Sequence, residues 1–354
     1  MIDVEVVVPV HTVDRPLERA VQSAFAGNDD VSVRVTIVCH NITRDTLTAS
    51  VPGLVGREDV RFLELEDGTA SPAGPKNLGL RAATGRYLTV LDSDDFFAPG
   101  SLAAWSKVLD ETDAGLLAAP LQDEHGNRIL TPRSRWGRTS ALDPARDGLA
   151  YASAPRGLWR ADVWESAGAS YTEGLGTGED LEIGLRLWFS DARIEYPRSG
   201  VYHLTSGGPD RVSARRWTLQ EELEPILRLD QNWLQSLGVR QRSAIAAKLW
   251  RINVFAAFLR HADDPARGGT DTEVLSAACA VVRELAPEVP LSIAEQAFAD
   301  GISSSASQPE RWPVVADAYR RSGRLSRILP AVWRCGLRAE GPLRGFLRSY
   351  LPVR

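Results

Sequence analysis

The chain has 354 residues, of which 44% are hydrophobic and 25% charged, and its net charge is −5. That length suggests two domains and that composition a packed globular protein; the acidic balance argues against general nucleic-acid binding. Three cysteines far apart in sequence (Cys39, Cys279, Cys335) exclude a disulfide scaffold and a cysteine-rich zinc module.

The first residues enter an apolar run with no basic segment or small-residue cleavage site, so no signal peptide is expected. No stretch approaches 18 consecutive apolar residues, so no membrane span is expected and the location reads as cytoplasmic. Val4–Val10 is the first of four strand-length apolar runs; Val33–Cys39, Val60–Leu65 and Tyr87–Leu91 follow. Between the first two, Leu17, Ala20, Val21, Ala24 and Phe25 share one helical face, and Asn77–Ala83 fits another short helix. Strands alternating with helices predict an α/β domain with a mainly parallel sheet covered on both faces. Ligands of such sheets bind beyond the carboxyl ends of the strands.

Two acidic clusters stand at such positions. The fourth run leads directly into Asp92-Ser93-Asp94-Asp95, three carboxylates that repel one another unless a cation or solvent relieves them. Mg²⁺ or Mn²⁺ suits one or two carboxylates combined with substrate phosphates; a solvated acidic loop is the plain alternative. An EF-hand is excluded, because Phe97 stands where its glycine belongs. Phe96-Phe97 and Pro99-Gly100 make an apolar, turning wall behind the cluster, and a helix is predicted over Gly100–Glu111. Residues 121–175 are irregular, rich in Arg, Pro, Gly and Ser. Then Gly174-Leu175-Gly176-Thr177-Gly178 leads into Glu179-Asp180 at the start of a helix predicted over Asp180–Phe189. Acids there are favoured by the helix dipole and would suit simple capping. A carboxylate beside an open glycine loop equally suits a general base for an acceptor hydroxyl.

Lys76, one of three lysines among 41 basic residues, precedes the helix leading to the acidic strand and could neutralise a diphosphate. Short strands are predicted at Arg193–Tyr196 and Val201–Leu204, and His203 near the end of the latter is a candidate metal or phosphate contact. Ser206–Arg216 has loop chemistry and marks the domain boundary; Arg211 within it could reach phosphates from a lid. Long helices are predicted at Leu219–Leu237 and Arg240–Leu259, with a Ser-rich linker at Gly301–Pro309. Residues 320–354 hold nine arginines and one acid, Glu340, a local +8 that leaves −13 for the rest. That tail could lie on an anionic membrane or bind a polyanionic polymer; a solvated arginine-rich face or an oligomer contact is the alternative.

Residues 4–213 resemble an inverting glycosyltransferase of the GT-A fold, family 2. Val6-Val7-Val8-Pro9-Val10 and Leu17–Phe25 resemble its opening strand, turn and helix, and Gly74–Asp95 its stretch ending in D-x-D-D. Val163–Gly168 and Glu173–Arg186 are similar to its segment ending in G-E-D-x₅-R. The resemblance implies a Rossmann-like catalytic domain over 1–213 and an all-α accessory domain over 217–354. It implies Asp180 as catalytic base with Glu179 positioning base or acceptor, Asp92 towards ribose or metal, and Asp94 and His203 on Mn²⁺ or Mg²⁺. Pro9, His11 and Thr12 would border the nucleotide base, and Lys76 stands where the family usually has arginine; apart from the resemblance, Lys76 reads equally as a surface helix-start cation and the segment holding Arg211 as an interdomain hinge. His40 stands where the family usually has an aspartate for uracil; its neutral ring accepts one hydrogen bond and cannot reproduce a carboxylate.

The implied reaction moves a sugar from a nucleotide diphosphate donor, such as a UDP-sugar, to a hydroxyl of a glycan, glycolipid or polymer acceptor, with no nucleic-acid partner. Peripheral contact with the inner membrane face and self-association are compatible with it. Two rival readings are a non-catalytic glycan-binding or scaffold protein on a transferase fold and a nucleotidyltransferase. Val10–Pro16 lacks the Gly-rich, Arg-containing loop that the latter needs.

Overall fold

The computed structural model describes residues 2–129, 138–205, 215–265, 268–286, 288–336 and 341–344. The chain divides into two compact units, Met1–Asp143 with Ala152–Arg211, and Pro144–Tyr151 with Val212–Arg354.

The first unit begins β1 (Val4–Val10), α1 (Leu17–Phe25), β2 (Val33–His40), α2 (Arg44–Ser50), β3 (Val60–Leu65), α3 (Ala73–Ala82) and β4 (Tyr87–Val90). It continues β5 (Phe96–Phe97), α4 (Ser101–Thr112), β6 (Leu116–Ala118), β7 (Leu121–Asp123), β8 (Arg128–Ile129), β9 (Gly157–Arg160), α5 (Ala161–Ser166), α6 (Leu181–Trp188), β10 (Ile194–Glu195) and β11 (Tyr202–Leu204). Seven strands form one sheet in the order β10-β6-β9-β4-β1-β2-β3, parallel except that β9 runs antiparallel to both neighbours. Val4, Val6, Val7 and Val8 of β1 are wholly buried, as strands of a sheet covered on both faces must be. A second sheet, β5-β11-β7-β8, stands behind the acidic loop. Its Phe97 meets Trp105 and Tyr202 edge-on, with ring centroids 5.6 and 5.5 Å apart, which is the apolar wall expected there.

Two glycines bring backbone close enough to position the site. A Cβ on Gly79 would stand 2.3 Å from Val7 Cγ1, so only glycine lets α3 close on β1 and β2 and hold Lys76, one turn earlier, at the strands' carboxyl ends. Gly157 has φ +147°, and a Cβ there would stand 1.9 Å from the Leu117 carbonyl oxygen; β9 reaches its place between β4 and β6 only through that contact. Near the amino end of β1, Glu5 is buried without being orphaned. It accepts from Thr36 Oγ1 (2.6 Å), Arg61 Nη2 (2.6 Å) and the amides of Thr84 (2.7 Å) and Gly85 (3.1 Å).

The second unit holds α7 (Leu219–Leu227), α8 (Gln231–Ser236), α9 (Val239–Lys248), a π-helical turn over Leu249–Val254, α10 (Phe255–His261), α11 (Gly269–Leu285), α12 (Ile293–Ser305), α13 (Trp312–Arg320) and α14 (Arg324–Ile328). Three expectations are corrected here. The helix predicted over Leu219–Leu237 is two, because Asp230 caps a fresh start by accepting from the Trp233 amide at 3.1 Å. The one predicted over Arg240–Leu259 changes to π spacing midway. The Ser-rich stretch beginning at Gly301 ends α12 instead of forming a linker. Ser303 and Ser305 donate back to the Ala299 and Gly301 carbonyls (2.8 and 2.7 Å), and a Cβ on Gly301 would stand 3.0 Å from Val315 Cγ1. Tyr151 is held within this unit by Arg251, which donates to its hydroxyl (3.1 Å), to the Pro290 carbonyl (2.8 Å) and to both oxygens of Glu295 (2.7 and 2.9 Å). Among the described residues no helix is long and apolar enough to cross a membrane.

Candidate active site

Three connections converge at the carboxyl end of β4: the loop 92–95 that follows it, the first turn of α3, and the Gly-rich segment that starts α6. Lys76 joins them. Its Nζ donates to Glu179 Oε1 at 3.2 Å, lies 3.5 Å from Asp92 Oδ1, and sits 5.0 Å from the centre of the Tyr171 ring. Asn77, the next residue, donates to the Tyr171 carbonyl and to Glu173 Oε1 (2.9 Å each) and accepts from the Tyr171 amide (2.9 Å), tying α3 to the segment before α6. The structure thus brings Lys76, Asp92, Glu179 and, by sequence, Asp180 together.

Charge explains this packing. Burial works against the Lys76 ammonium, but Asp92 and Glu179 outweigh it and hold the pKa well above the ordinary lysine value. Burial raises the Glu179 pKa, Lys76 opposing and Asp180 reinforcing the shift. Burial also acts to raise Asp92, but Lys76 and Arg156 override it and its pKa is lowered. Asp180 occupies the N-cap position of α6 and makes no side-chain cap hydrogen bond, so the simple capping role is not the one it plays. No described side chain is hydrogen-bonded or ion-paired to its carboxylate.

The neighbouring acids have other partners. Asp94 is ion-paired with Arg15, from the loop after β1, and its carbonyl accepts from Arg19 Nη2 (2.5 Å) and Thr205 Oγ1 (2.6 Å). Asp95 is buried and accepts from Tyr202 OH (3.0 Å) and the Thr205 amide (2.8 Å). Burial, reinforced by the Asp92 charge, pushes its carboxyl up to about 7 against the Thr205 hydrogen bond. His203 stacks on Phe96 with centroids 4.5 Å apart and rings 8° from parallel, and its Nδ1 lies 3.3 Å from the Asp123 carbonyl oxygen. Its recorded partners are therefore Phe96 and Asp123 and not the carboxylates.

Among the described residues no three His, Cys, Asp or Glu side chains are grouped so as to hold a metal by themselves. The donor set fits a different kind of site. Asp94, now paired with Arg15, offers a hard carboxylate oxygen of the kind that Mg²⁺ or Mn²⁺ takes together with substrate phosphates.

The proposed base pocket is only partly assembled. Pro9 is paired in register with Val38 on β2; His11 is exposed, and Thr12 Oγ1 bonds Asp14 (3.3 Å). His40, buried at the end of β2, shares a 2.9 Å bond between Nε2 and Asp67 Oδ1. Asn41, at φ +54°, fixes that loop by accepting from the Asp67 and Gly68 amides (3.2 and 3.1 Å). Arg211 lies outside the described residues.

Sequence reasoning missed Arg15, Arg156, Tyr171 and Tyr202. Arg156 Nη2 lies 3.5 Å from Asp92 Oδ2 and its guanidinium 5.5 Å from the centre of the Tyr202 ring. The Pro155-Arg156-Gly157 step was the available signal, since a glycine there hints at a close backbone approach.

Comparison with known proteins adds the following. Residues 5–154 match the profile of glycosyl transferase family 2. The poly(ribitol-phosphate) beta-N-acetylglucosaminyltransferase TarS of Staphylococcus aureus is 18% identical over 230 residues, 65% of this chain and 40% of that protein. The succinoglycan biosynthesis protein ExoO of Rhizobium meliloti is 34% identical over 114 residues, 32% of this chain and 30% of that protein. The chain therefore spans well under half the length of these relatives. The crystal structure of S. aureus TarS 1–349 in complex with UDP-GlcNAc superposes with TM-score 0.73 at 17% identity, covering 90% of this chain and 92% of that one. The fold is shared, including the helical region after the α/β unit.

Proposed function

We propose, from the match of residues 5–154 to glycosyl transferase family 2, that the chain moves a sugar from a nucleotide diphosphate donor to a hydroxyl of a cell-surface polymer, inverting the anomeric centre. The observation that carries this reading is the Lys76 bridge, which puts Asp92, after β4, and Glu179, opening α6, on one buried cation. In the proposed reaction Asp180 takes the proton of the acceptor hydroxyl. The oxygen forms its bond to the anomeric carbon from the face opposite the diphosphate, and the C–O bond to phosphate breaks with its electron pair leaving on the diphosphate. Glu179, fixed by Lys76, positions the first turn of α6, and Asp92 orients the donor between two cations. Asp94 would be the residue to hold Mn²⁺ or Mg²⁺, which would supply Lewis-acid neutralisation of the charge on the leaving diphosphate. The donor is proposed to be a UDP-sugar, since the structurally similar TarS fragment holds UDP-GlcNAc, and the acceptor a polymer like those of the named relatives.

A cytoplasmic protein peripheral to the inner membrane face is part of this proposal. Leu325 and Trp333 are 72% and 74% exposed in an arginine-rich stretch, a surface compatible with an anionic bilayer. The test of the activity is a panel of nucleoside diphosphates and nucleotide sugars with and without Mn²⁺, read by thermal shift, followed by transfer assays on Asp94→Asn and Asp180→Asn. Turnover near wild type in the folded Asp180→Asn variant removes Asp180 from its role. Absence of any nucleotide-dependent shift defeats sugar transfer.

A further inference from the structure

The site contains a cation that the acids alone do not explain. Arg156 stands at the entry to β9, and its backbone is fixed on both sides: its carbonyl accepts from the Ala119 amide (3.1 Å), its amide donates to the Ala154 carbonyl (2.8 Å). Gly157, immediately after it, admits no side chain. The guanidinium extends over the Tyr202 ring towards Asp92. There it is poorly matched. One 3.5 Å ion pair to Asp92 is its recorded acid contact, and its Nε is buried with no hydrogen-bond partner. A guanidinium offers five N–H donors in a planar fork, and a buried donor left unpaired costs about 1–3 kcal/mol. The rest of the side chain is 27% exposed, beside Asp92 at 34%, so the open edge of the fork lines the cleft with Asp92. Lys76 grips the other oxygen of the same carboxylate, so Asp92 acts as the hinge of a two-cation seat and is left with little capacity for a metal.

We propose that Arg156 binds substrate directly, presenting its guanidinium to a phosphoryl oxygen, with Asp92 holding the fork in position. This rests on the sugar-transfer reading and deepens it by adding a phosphate contact in the cleft. Guanidinium matches phosphate geometry through paired N–H donors, which an ammonium cannot do. The phosphate has two sources in such a reaction, the donor's diphosphate or a phosphodiester of the acceptor polymer. The charges of Asp92, Asp95 and Asp180 all act on Arg156, consistent with a contact made where donor and acceptor meet.

The experiment compares wild type with Arg156→Gln and Arg156→Lys by titration calorimetry, using whichever of UDP, GDP and dTDP the wild type binds, the matching nucleoside, and poly(ribitol phosphate). Melting temperatures serve as the folding control, and steady-state KM and kcat are measured for donor and acceptor. A loss of about tenfold to hundredfold in diphosphate affinity, with nucleoside binding unchanged and Arg156→Lys recovering only part, places the donor's phosphate on Arg156. The same loss confined to polymer affinity and acceptor KM places the acceptor's phosphate there. A folded Arg156→Gln protein with all affinities and kinetic constants within twofold of wild type overturns the proposal while leaving sugar transfer intact. A wild type that binds none of the nucleotides overturns sugar transfer, and Arg156's role with it.

Discussion

Replacing Lys76 with methionine keeps the volume of the stem and removes the charge that joins α3, β4 and α6. Pairs at 3.2 and 3.5 Å, in an effective dielectric of about 20, are each worth roughly 5 kcal/mol in Coulomb energy. Most of that is offset by desolvation of the three groups, and the measured cost of stranding a buried charge is about 3–5 kcal/mol. Glu179 is the stranded partner, at 10% side-chain exposure; Asp92 keeps Arg156 and, at 34% exposure, some water. The lower end applies, about 3 kcal/mol, or roughly 6–12 °C of melting temperature for a domain of this size. The pH dependence follows from the raised Glu179 pKa. Without Lys76 the shift grows, so the stability that protonation provides is fully present below the unfolded value, 4.5, and lost as pH rises through the folded one. The Lys76→Met deficit is therefore smaller at pH 5 than at pH 8, and Lys76→Met with Glu179→Gln recovers at least half of it. Scanning calorimetry of the three proteins at both pH values decides. A Lys76→Met protein melting within about 2 °C of wild type at pH 8, or equally impaired at both, refutes the reasoning.

Asp95 gives a second pH signature. With a folded pKa of about 7 against 3.8 unfolded, it contributes stability below pH 3.8 that is lost as pH rises through 7. Urea unfolding of Asp95→Asn at pH 5 and pH 8 should show a smaller difference than wild type, and an equal difference removes Asp95 as the cause. Gly157→Ala drives a Cβ into the Leu117 carbonyl and should cost more than about 4 kcal/mol, yielding little folded protein. Gly174→Ala, at φ +83° with open space around it, should cost about 1 kcal/mol; similar melting of the two variants contradicts the packing argument. Trp333→Glu with Leu325→Glu should abolish co-sedimentation with phosphatidylglycerol vesicles, and equal recovery of variant and wild type ends the membrane proposal.

The sheet was legible because strands of a covered parallel sheet are mostly apolar, and the runs of β1 to β4 end within a residue or two of the observed strands. The acids were legible because charge after such a run has few structural uses. Lys76 stood out through rarity alone. Arg15 and Arg156 carried no such mark, since 38 of the 41 basic residues are arginine. What selects Arg156 is a long-range fact, the antiparallel insertion of β9, of which Gly157 is the only local hint. The helical half was misread where hydroxyls and caps decide: Asp230 restarts a helix that periodicity continues, and the serines after Gly301 bond backwards instead of loosening the chain.

The distribution of partners within the cleft also separates roles that composition cannot. Asp92 lies between Lys76 and Arg156, Asp94 is on Arg15, Asp95 is held by Tyr202 and Thr205, and Glu179 is on Lys76. Asp180 alone of the five has no bonded side chain among the described residues, at the first turn of a helix that glycines leave open to an approaching chain. Four acids are therefore tied to cations or to the loop, and the fifth, at the start of α6, is the one we propose faces the acceptor. A general base needs that asymmetry, whereas a structural acidic cluster would have no use for leaving one member unpaired.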